Sequence, residues 1–449
     1  MKVSKFGGSS VANAGQIEKV RRIVEEDPNR KYVVVSAPGK DEQDRIKVTD
    51  SLFNIATEGA HLREKGVSAR ESYDFVIGKF TRITNELGVE GRDLVKRLEA
   101  DLHRPIQGKK RRDFFASRGE HYHARIIARY FRKRGLSAVL RLPEDIGLVV
   151  SDRFGNARVL PESYENIARL AKQDGILIIP GYYGITRDGD IAVFSRGGSD
   201  LTGGELAYAL HASLYENWTD RDGIFQVNPD LIPEAKVIPE LTFKEIRLLA
   251  SKGFNVFHYD AMINCRDSGI PINIRNTNNT SAPGTMIVSE RVPHEAVVGI
   301  ARMDDVAYVY VEKDMIDEQV GFMDDILRIF REYELSTHYY PADKDDIAYI
   351  VEEGDLNGKG EKIIETIRER LNPRTVIIKD GLSILNPVGI GMRNRPGVLA
   401  AAAVALADRD INLEIVDQSP AQIGFHFGVK SERADEGYRA LYNTFFGGI

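Results

Sequence analysis

Two short runs, "KYVVVSAP" (31–38) and "GILIIPGYYG" (175–184), are almost wholly apolar and are ended by Pro or Gly. A strand with one wet face alternates apolar and polar residues. A strand with no polar alternation has both faces covered, the usual state of a parallel sheet between helices. Helical patterns lie between the runs. In "NAGQIEKVRRIVEEDP" the residues Ile17, Val20 and Val24 fall on one stripe, Asn13 is placed to cap the start with Gln16 three residues on, and Pro28 closes the end. Alternation of this kind predicts an α/β fold of three layers, α/β/α, around a mainly parallel sheet.

A chain of 449 residues is long enough for about three domains. The segment "NTNNTSAPGTMIVSERVPHE" (276–295) is rich in Asn, Thr, Ser and Pro and reads as a turn-rich connection, which sets a first domain at 1–290. Beyond it a pattern occurs twice, at 296–375 and 380–449, as two βαββαβ units of about 70 residues each. In the first, Phe322, Ile326, Ile329 and Phe330 share a helical face; in the second, Pro396 suits a first helical turn.

Several classes are disfavoured by composition. Hydrophobic residues at 42% and charged residues at 29% match a soluble globular protein. No apolar run approaches the roughly 20 residues that cross a bilayer, and "MKVSKFGGSS" lacks the apolar centre of a secretion signal, so a cytoplasmic protein without membrane partners is expected. The only cysteine, Cys265, excludes an internal disulfide, and the nine histidines show no HExxH spacing, so no protein-built metal centre is expected. A net charge of −6 argues against nucleic-acid binding by the whole chain; the basic stretches "GKKRRD" (108–113) and "RKRG" (132–135) read as solvated faces.

The chemistry-bearing motifs come in order along the chain. "KFGGSS" (5–10) offers glycines that let the backbone approach a ligand, N–H groups for phosphate oxygens and a compact positive charge on Lys5; it is not a P-loop, whose lysine follows its glycines. "FSRGGSDLTGGELAYALHA" (194–212) ends a strand in Arg196, Gly197, Gly198, Ser199 and Asp200 and enters a helix. It is either an anion site at a helix N-terminus or a tight turn capped by Asp200. "WTDRDGIFQVNPD" (218–230) puts Thr219, Asp220 and Asp222 at a strand end, where they could face a ribose, act through water on Mg2+, or only form a turn. Ser36, the "VTD" of 48–50 and Glu120 are, singly, caps or surface residues.

Together and in this order the pieces resemble the aspartokinase branch of the amino-acid kinase family. Lys5 to Ser10 is similar to its K-F-G-G-[ST]-S opening, Ser36-Ala37 to its V-V-V-S-A strand, and Thr49-Asp50 to its T-D element. Gly119-Glu120, "PGYYG" (180–184), "RGGSD" (196–200), "WTDRDG" (218–223), "IPEL" (238–241) and "IRNT" (274–277) continue the likeness, and the two small units resemble ferredoxin-like tandem ACT modules. The resemblance implies ATP-dependent phosphorylation of the side-chain carboxylate of L-aspartate with Mg2+, the first step towards lysine, threonine and methionine. It implies that Lys5 bridges ATP phosphates beside Gly7, Gly8 and Ser9, and that Asp200 organises Lys5. Ser36, Thr49, Glu120, Arg196 and Ser199 would surround aspartate, with Arg196 on a carboxylate and Glu120 near the amino group; Thr219, Asp220 and Asp222 would lie along the nucleotide. His121 and His123 are left as helix-surface residues.

The sequence departs from the family in places. Asn228-Pro229-Asp230 stands where many members have D-P-R, and Asn255 where many have a lysine; Lys252, Lys244 or Arg247 are the candidates to compensate. ACT modules imply a homodimer or larger homo-oligomer and feedback by lysine or threonine, with Met315, Gly321, Phe322, Thr337 and His338 at the effector positions. Two other readings stay open: the same fold with glutamate or an acylated amino acid as acceptor, and an amino-acid sensor whose kinase domain has decayed. A fused homoserine dehydrogenase is not expected at this length.

Overall fold

The computed structural model describes residues 1–195, 197–250 and 259–447, which fall into two compact units. The first comprises 1–224, 237–243 and 259–291; the second comprises 225–236, 244–250 and 292–447. Among the described residues, no helix is long and apolar enough to cross a membrane.

The first unit is built on a sheet whose parallel strands run in the order Ala138–Leu140, Ile176–Pro180, Arg30–Val35, Lys2–Phe6, Leu214–Thr219 and Ile272–Asn276. Thr285–Val288 then pairs antiparallel with Ile272–Asn276 and parallel with Glu240–Thr242 at the edge. The predicted turn-rich connection therefore contains a strand of its own, "TMIV", whose β-branched residues fit a half-buried sheet position. A small sheet of Val149–Val150, Tyr183–Thr186 and Ile191–Val193 stands beside the large one.

Helices cover the large sheet as the apolar runs require. Helix Ala14–Glu26 buries Ile17, Val20, Ile23 and Val24 in one core with Phe6, Val33 and Val35. The Asn13 side chain accepts the Gln16 N–H at 3.0 Å, and the helix ends at Glu26, two residues before Pro28. Helix Gly108–Lys133 is of a different kind. Between Asp113 and Ala124 it is buried on every side, whereas Lys109, Lys110, Arg112, Arg132, Lys133 and Arg134 at its two ends are exposed, as expected of solvated basic faces.

Lys2–Phe6 lies where the strand order reverses, with Arg30–Val35 on one side and Leu214–Thr219 on the other. Ligands of parallel α/β sheets bind outside the carboxyl ends of the strands at such a point. Register and alternation then divide the side chains. Ser4 and Phe6 stand opposite Glu216 and Trp218 on one face, and Lys5 stands opposite Asn217 on the other.

The second unit carries one sheet in the order Asp346–Glu352, Gly299–Glu312, Thr375–Val388, His426–Lys430, Ile415–Asp417, antiparallel throughout. Phe322, Ile326, Ile329 and Phe330 are all buried on one face of helix Phe322–Glu332, as the spacing predicts. The two predicted βαββαβ units are nested. The first uses Val306–Glu312, and the strand that closes the second, pairing with Ile384–Val388, is Gly299–Met303, upstream of the first module. Helix Val398–Ala407 begins after Gly397, which sits at φ +89°, so Pro396 lies outside the first turn.

Glu216 ties the centre of the first sheet together. Its carboxylate accepts from Arg30 Nε at 2.7 Å, Arg30 Nη2 at 3.1 Å, Ser4 Oγ at 2.8 Å and Trp218 Nε1 at 3.1 Å. Burial pushes this carboxyl up, but the Arg30 hydrogen bonds and charge outweigh it and hold it below the usual range. Removing one partner of a buried pair leaves the other charged and unpaired. Glu216→Leu is therefore expected to destabilise the first unit by about 3–5 kcal/mol, read as an earlier urea transition in the fluorescence of Trp218, the only tryptophan of the chain. An unchanged transition would show that Arg30 finds other partners.

Candidate active site

The strand ends of the first unit continue their ladder into the loops beyond them. The Gly7 N–H donates to the Trp218 carbonyl at 3.0 Å, Ser36 N–H to Phe6 at 3.2 Å, and Gly181 N–H to Val35 at 3.0 Å. Four parallel strands thus deliver Lys5 to Ser9, Ser36, Gly181-Tyr182 and Thr219 along one rim.

Lys5 is the charge at the middle of this rim. Its Nζ lies 2.5 Å from Asp200 Oδ1, both side chains about one-tenth exposed. The same oxygen accepts from Asn217 Nδ2 at 2.8 Å. Asp200 sits in the first turn of helix Gly198–Ala209, where the helix dipole favours a carboxylate. Residues far apart in sequence therefore hold one ammonium in place. Arg196, predicted to grip a carboxylate, lies outside the described residues. Its neighbour Ser199 packs against the next strand end so closely that a Cβ at Gly181 would lie 2.8 Å from Ser199 Oγ. Gly181 is required there by contact.

Gly7, Gly8 and Ser9 form a half-buried loop beside Lys5. Gly39 N–H donates to the Gly8 carbonyl at 2.9 Å, and a Cβ at Gly39 would come within 2.5 Å of the Gly8 carbonyl carbon. Ser10 Oγ donates to the Trp218 carbonyl at 3.2 Å and accepts from Thr277 Oγ1 at 2.7 Å, which ties the loop to the sheet beneath it. Thr49 and Asp50 follow in the first turn of helix Val48–Ala56, half-buried.

Glu120 projects from the long buried helix. It accepts the Ala37 N–H, while its Oε2 is buried with no hydrogen-bond partner among the described residues. Burial pushes its carboxyl up to about 8, against the pull of the Ala37 N–H. An unpaired buried carboxyl oxygen is costly and is suited to an incoming cation. Burial of the Tyr182 hydroxyl, with the charges of Glu120, Asp113 and Asp50 near it, raises its pKa. Tyr182 also holds φ +79°, a strained value for a tyrosine, and its N–H donates to Thr202 Oγ1 at 3.0 Å. "PGYYG" was legible as a motif; the tyrosine within it gave no signal of strain.

His121 and His123 overturn the expectation of helix-surface residues: both are buried. Arg125 Nε donates to His121 Nε2 at 3.0 Å, which leaves Nδ1–H facing the Tyr183 hydroxyl at 2.9 Å. His123 Nδ1 lies 2.7 Å from the Ser36 carbonyl and donates to it. Burial lowers both pKa values, His121 to about 2 with Arg118 and Arg125 adding to the effect, and His123 to about 4. His123 braces the strand end at Ser36, and His121 holds the Tyr183 hydroxyl.

At the far side of Lys5, Thr219 Oγ1 donates to Asp220 Oδ1 at 3.1 Å. Asp222 Oδ1 accepts from Asn276 Nδ2 at 2.7 Å and Asn279 Nδ2 at 3.1 Å, so this carboxylate holds the turn after strand Ile272–Asn276. Among the described residues there is no cluster of three metal-ligating side chains.

In the second unit, Gly321 precedes helix Phe322–Glu332 at φ +89°, and Met315 is exposed at φ +59° with its N–H donating to Asp345 Oδ1 at 2.6 Å. Thr337 Oγ1 donates to the Ile350 carbonyl at 3.0 Å, and so does His338 N–H, at 2.8 Å. Phe322 was expected to touch an effector; its side chain is buried in the core with Ile326 and Phe330. Asn228 to Asp230 belong to this unit, where Asn228 N–H donates to the Tyr438 hydroxyl at 2.9 Å. Lys244 and Arg247 are exposed, and Lys252 and Asn255 lie outside the described residues.

A lysine held beside a glycine loop and a helix N-terminus, at the carboxyl rim of a parallel sheet, is an arrangement suited to phosphate groups. The amino acid kinase family matches residues 1–276, and an ACT domain matches 385–445. Aspartokinase 3 of Bacillus subtilis is 41% identical over 100% of this chain and 99% of its own length. The aspartokinase of Geobacillus stearothermophilus is 28% identical over 94% of this chain and 91% of its own. The crystal structure of Clostridium acetobutylicum aspartate kinase superposes with a TM-score of 0.87 at 32% identity, covering 99% of this chain and 100% of that one. The chain belongs to the amino acid kinase family, in its aspartokinase branch.

Glu120 and His123 respond to pH in opposite senses. Glu120, at 4.5 when unfolded and about 8 when folded, contributes stability that is complete below pH 4.5 and is lost as pH rises towards 8. His123, at 6.5 unfolded and about 4 folded, contributes stability present above pH 6.5 and lost as pH falls towards 4. Glu120→Gln should therefore gain urea resistance relative to the parent chain as pH rises from about 5 to 8, measured by Trp218 fluorescence. A gap equal at both pH values would contradict a carboxyl neutralised by burial.

Proposed function

We propose that this chain transfers the γ-phosphoryl group of ATP to the side-chain carboxylate of L-aspartate, releasing 4-phospho-L-aspartate and ADP. The observation that carries the proposal is the Lys5–Asp200 pair at 2.5 Å, set beside the Gly7-Gly8 loop at the reversal point of the sheet. The relatives matched from end to end are named for aspartate, which supports it as the acceptor.

The reaction brings two anions together. A carboxylate oxygen attacks the γ-phosphorus as the bond to the β,γ-bridging oxygen breaks, and the leaving charge goes to ADP. An aspartate side chain, with a pKa of about 3.9, is already ionised at neutral pH, so no general base is needed. What the protein supplies is position and fixed positive potential. Lys5, immobilised by Asp200 and Asn217, lies between the two anions. Arg196 takes a substrate carboxylate, Ser199, Thr49 and Ser36 flank it, and the unpartnered oxygen of Glu120 receives the α-ammonium. Gly7, Gly8 and Ser9 face the phosphates, with Thr219, Asp220 and Asp222 along the nucleoside. Mg2+ arriving with ATP would take its ligands mainly from phosphates and water and add neutralising charge.

The nested modules would carry feedback by an amino acid, lysine first and threonine second, near Met315, Gly321, Thr337 and His338, within a homodimer or larger assembly. The enzyme would act in the cytoplasm.

Aspartate-dependent ADP release tests the reading. Lys5→Ala should lower kcat by about a hundredfold or more, the scale for losing one fixed charge-stabilising donor, while far-UV dichroism stays unchanged. Turnover that survives this substitution, or that prefers glutamate to aspartate, would overturn it.

A further inference from the structure

Between Ala37 and Val48 the chain forms a strap without helix or strand that reaches two parts of the site at once. At its near end Gly39 is seated on Gly8 by the 2.9 Å hydrogen bond and the close approach described above. At its far end Val48 N–H donates to the Pro38 carbonyl at 3.4 Å, and Thr49 and Asp50 follow. The loop between is polar, with Lys40, Glu42, Gln43, Arg45 and Lys47 exposed. Between Lys40 and Lys47 its one apolar side chain is Ile46, which is half-buried.

The strap is held by a buried cation. Lys79, on helix Ala69–Glu86, has a side chain only 1% exposed, and its Nζ lies 2.6 Å from Asp41 Oδ2 and 2.6 Å from Asp44 Oδ2. Arg82, one turn on, also pairs with Asp44. Asp41 in turn accepts the N–H groups of Gln43 at 3.0 Å and Asp44 at 2.8 Å, so the loop is folded around the carboxylate that the lysine grips. The charge of Lys79 also reaches His123, which donates to the Ser36 carbonyl at the root of the strap. A lysine this buried is rare unless paired, and its two partners both lie on the strap.

We propose that Lys79 is a positioning residue for phosphoryl transfer: it clamps the strap through Asp41 and Asp44, keeping Gly39 on the phosphate-facing loop and Thr49 at the acceptor side. Lys79 touches neither substrate. It acts by fixing two segments that must hold still together, and small misplacements of such segments cost rate out of proportion to their size. The catalytic part of this inference rests on the function proposed above; the clamp itself does not.

The test uses Lys79→Met, which retains the stem and removes the charge, and Asp41→Asn, which leaves Asp44 to pair the lysine if the first variant folds poorly. Lys40, Arg45 and Lys47 make the strap cleavable by trypsin. In Lys79→Met, cleavage within 40–47 should quicken at least about tenfold, ADP binding by calorimetry should weaken, and kcat should fall by about ten- to a hundredfold. Asp41→Asn should shift the same readouts in the same direction by less. Kinetic constants and ADP affinity within about twofold of the parent, or cleavage spread over the whole chain instead of the strap, would overturn the proposal. If the parent shows no aspartate-dependent turnover, the proposed function fails, and strap cleavage with ADP affinity still decides the clamp.

Discussion

The architecture of the first unit depends on the position of Glu216. Its carboxylate has donors on three adjacent parallel strands: Ser4 on the first, Arg30 on the second, and Trp218 on its own. A carboxylate so placed fixes register, because sliding any of the three strands by one residue would send a polar partner to the opposite face. Above it, Arg30 and Arg275 stack on Trp218 at 5.1 and 4.6 Å, and Phe6 stacks on its ring at 5.8 Å. The position of Lys5 follows. With Ser4 committed to Glu216, the next side chain must point to the other face, where Asn217 and the first turn of helix Gly198–Ala209 await it.

The charges of the site then differ in how firmly they are held. Lys5 is paired and oriented, whereas Glu120 keeps one oxygen without a partner among the described residues, and burial pushes its carboxyl up to about 8. In the proposed reaction, which brings two anions together, a carboxyl kept neutral by burial repels neither of them. It becomes an anion only when a cation is brought close enough to outweigh the cost of desolvation. An α-amino acid carries that cation with it. In the proposed function the acid would therefore sit near the acceptor without adding to the repulsion that the reaction has to overcome.

Much of this was legible in the chain. Apolar runs ending in Pro or Gly located two of the parallel strands, and the stripe of Ile17, Val20 and Val24 with its Asn13 cap located a helix and its first residue. The ordered motifs located the rim of the site. Three things escaped. His121 and His123 looked solvated because helix Gly108–Lys133 is buried all round at its centre, and periodicity reports a buried face, not a buried girth. Lys79 and its two aspartates gave no signal, since a cation thirty-odd residues from its partners reads as an ordinary surface charge. The nesting of the modules was hidden because a βαββα pattern does not say where the fourth strand comes from.

That nesting has a mechanical consequence within the second unit. Gly299–Glu312 and Thr375–Val388 each run without interruption through both modules, paired with one another along their length. The register breaks between Met303 and Val306, where Asp305 takes φ +55°, and Gly381 opposite takes φ +71°. A bulge of this kind bends and twists a pair of strands where it stands. Here it is braced on both sides: Ser383 Oγ donates to Asp304 Oδ1 at 2.7 Å, Gly381 N–H donates to Glu353 Oε1 at 2.7 Å, and Arg302 Nε pairs with Asp304 at 2.7 Å. Two modules joined by a flexible linker could shift independently. Two modules that share a pair of strands cannot, so a change in the twist of the first at Val306–Glu312 is passed along the same backbone to Gly299–Met303 in the second.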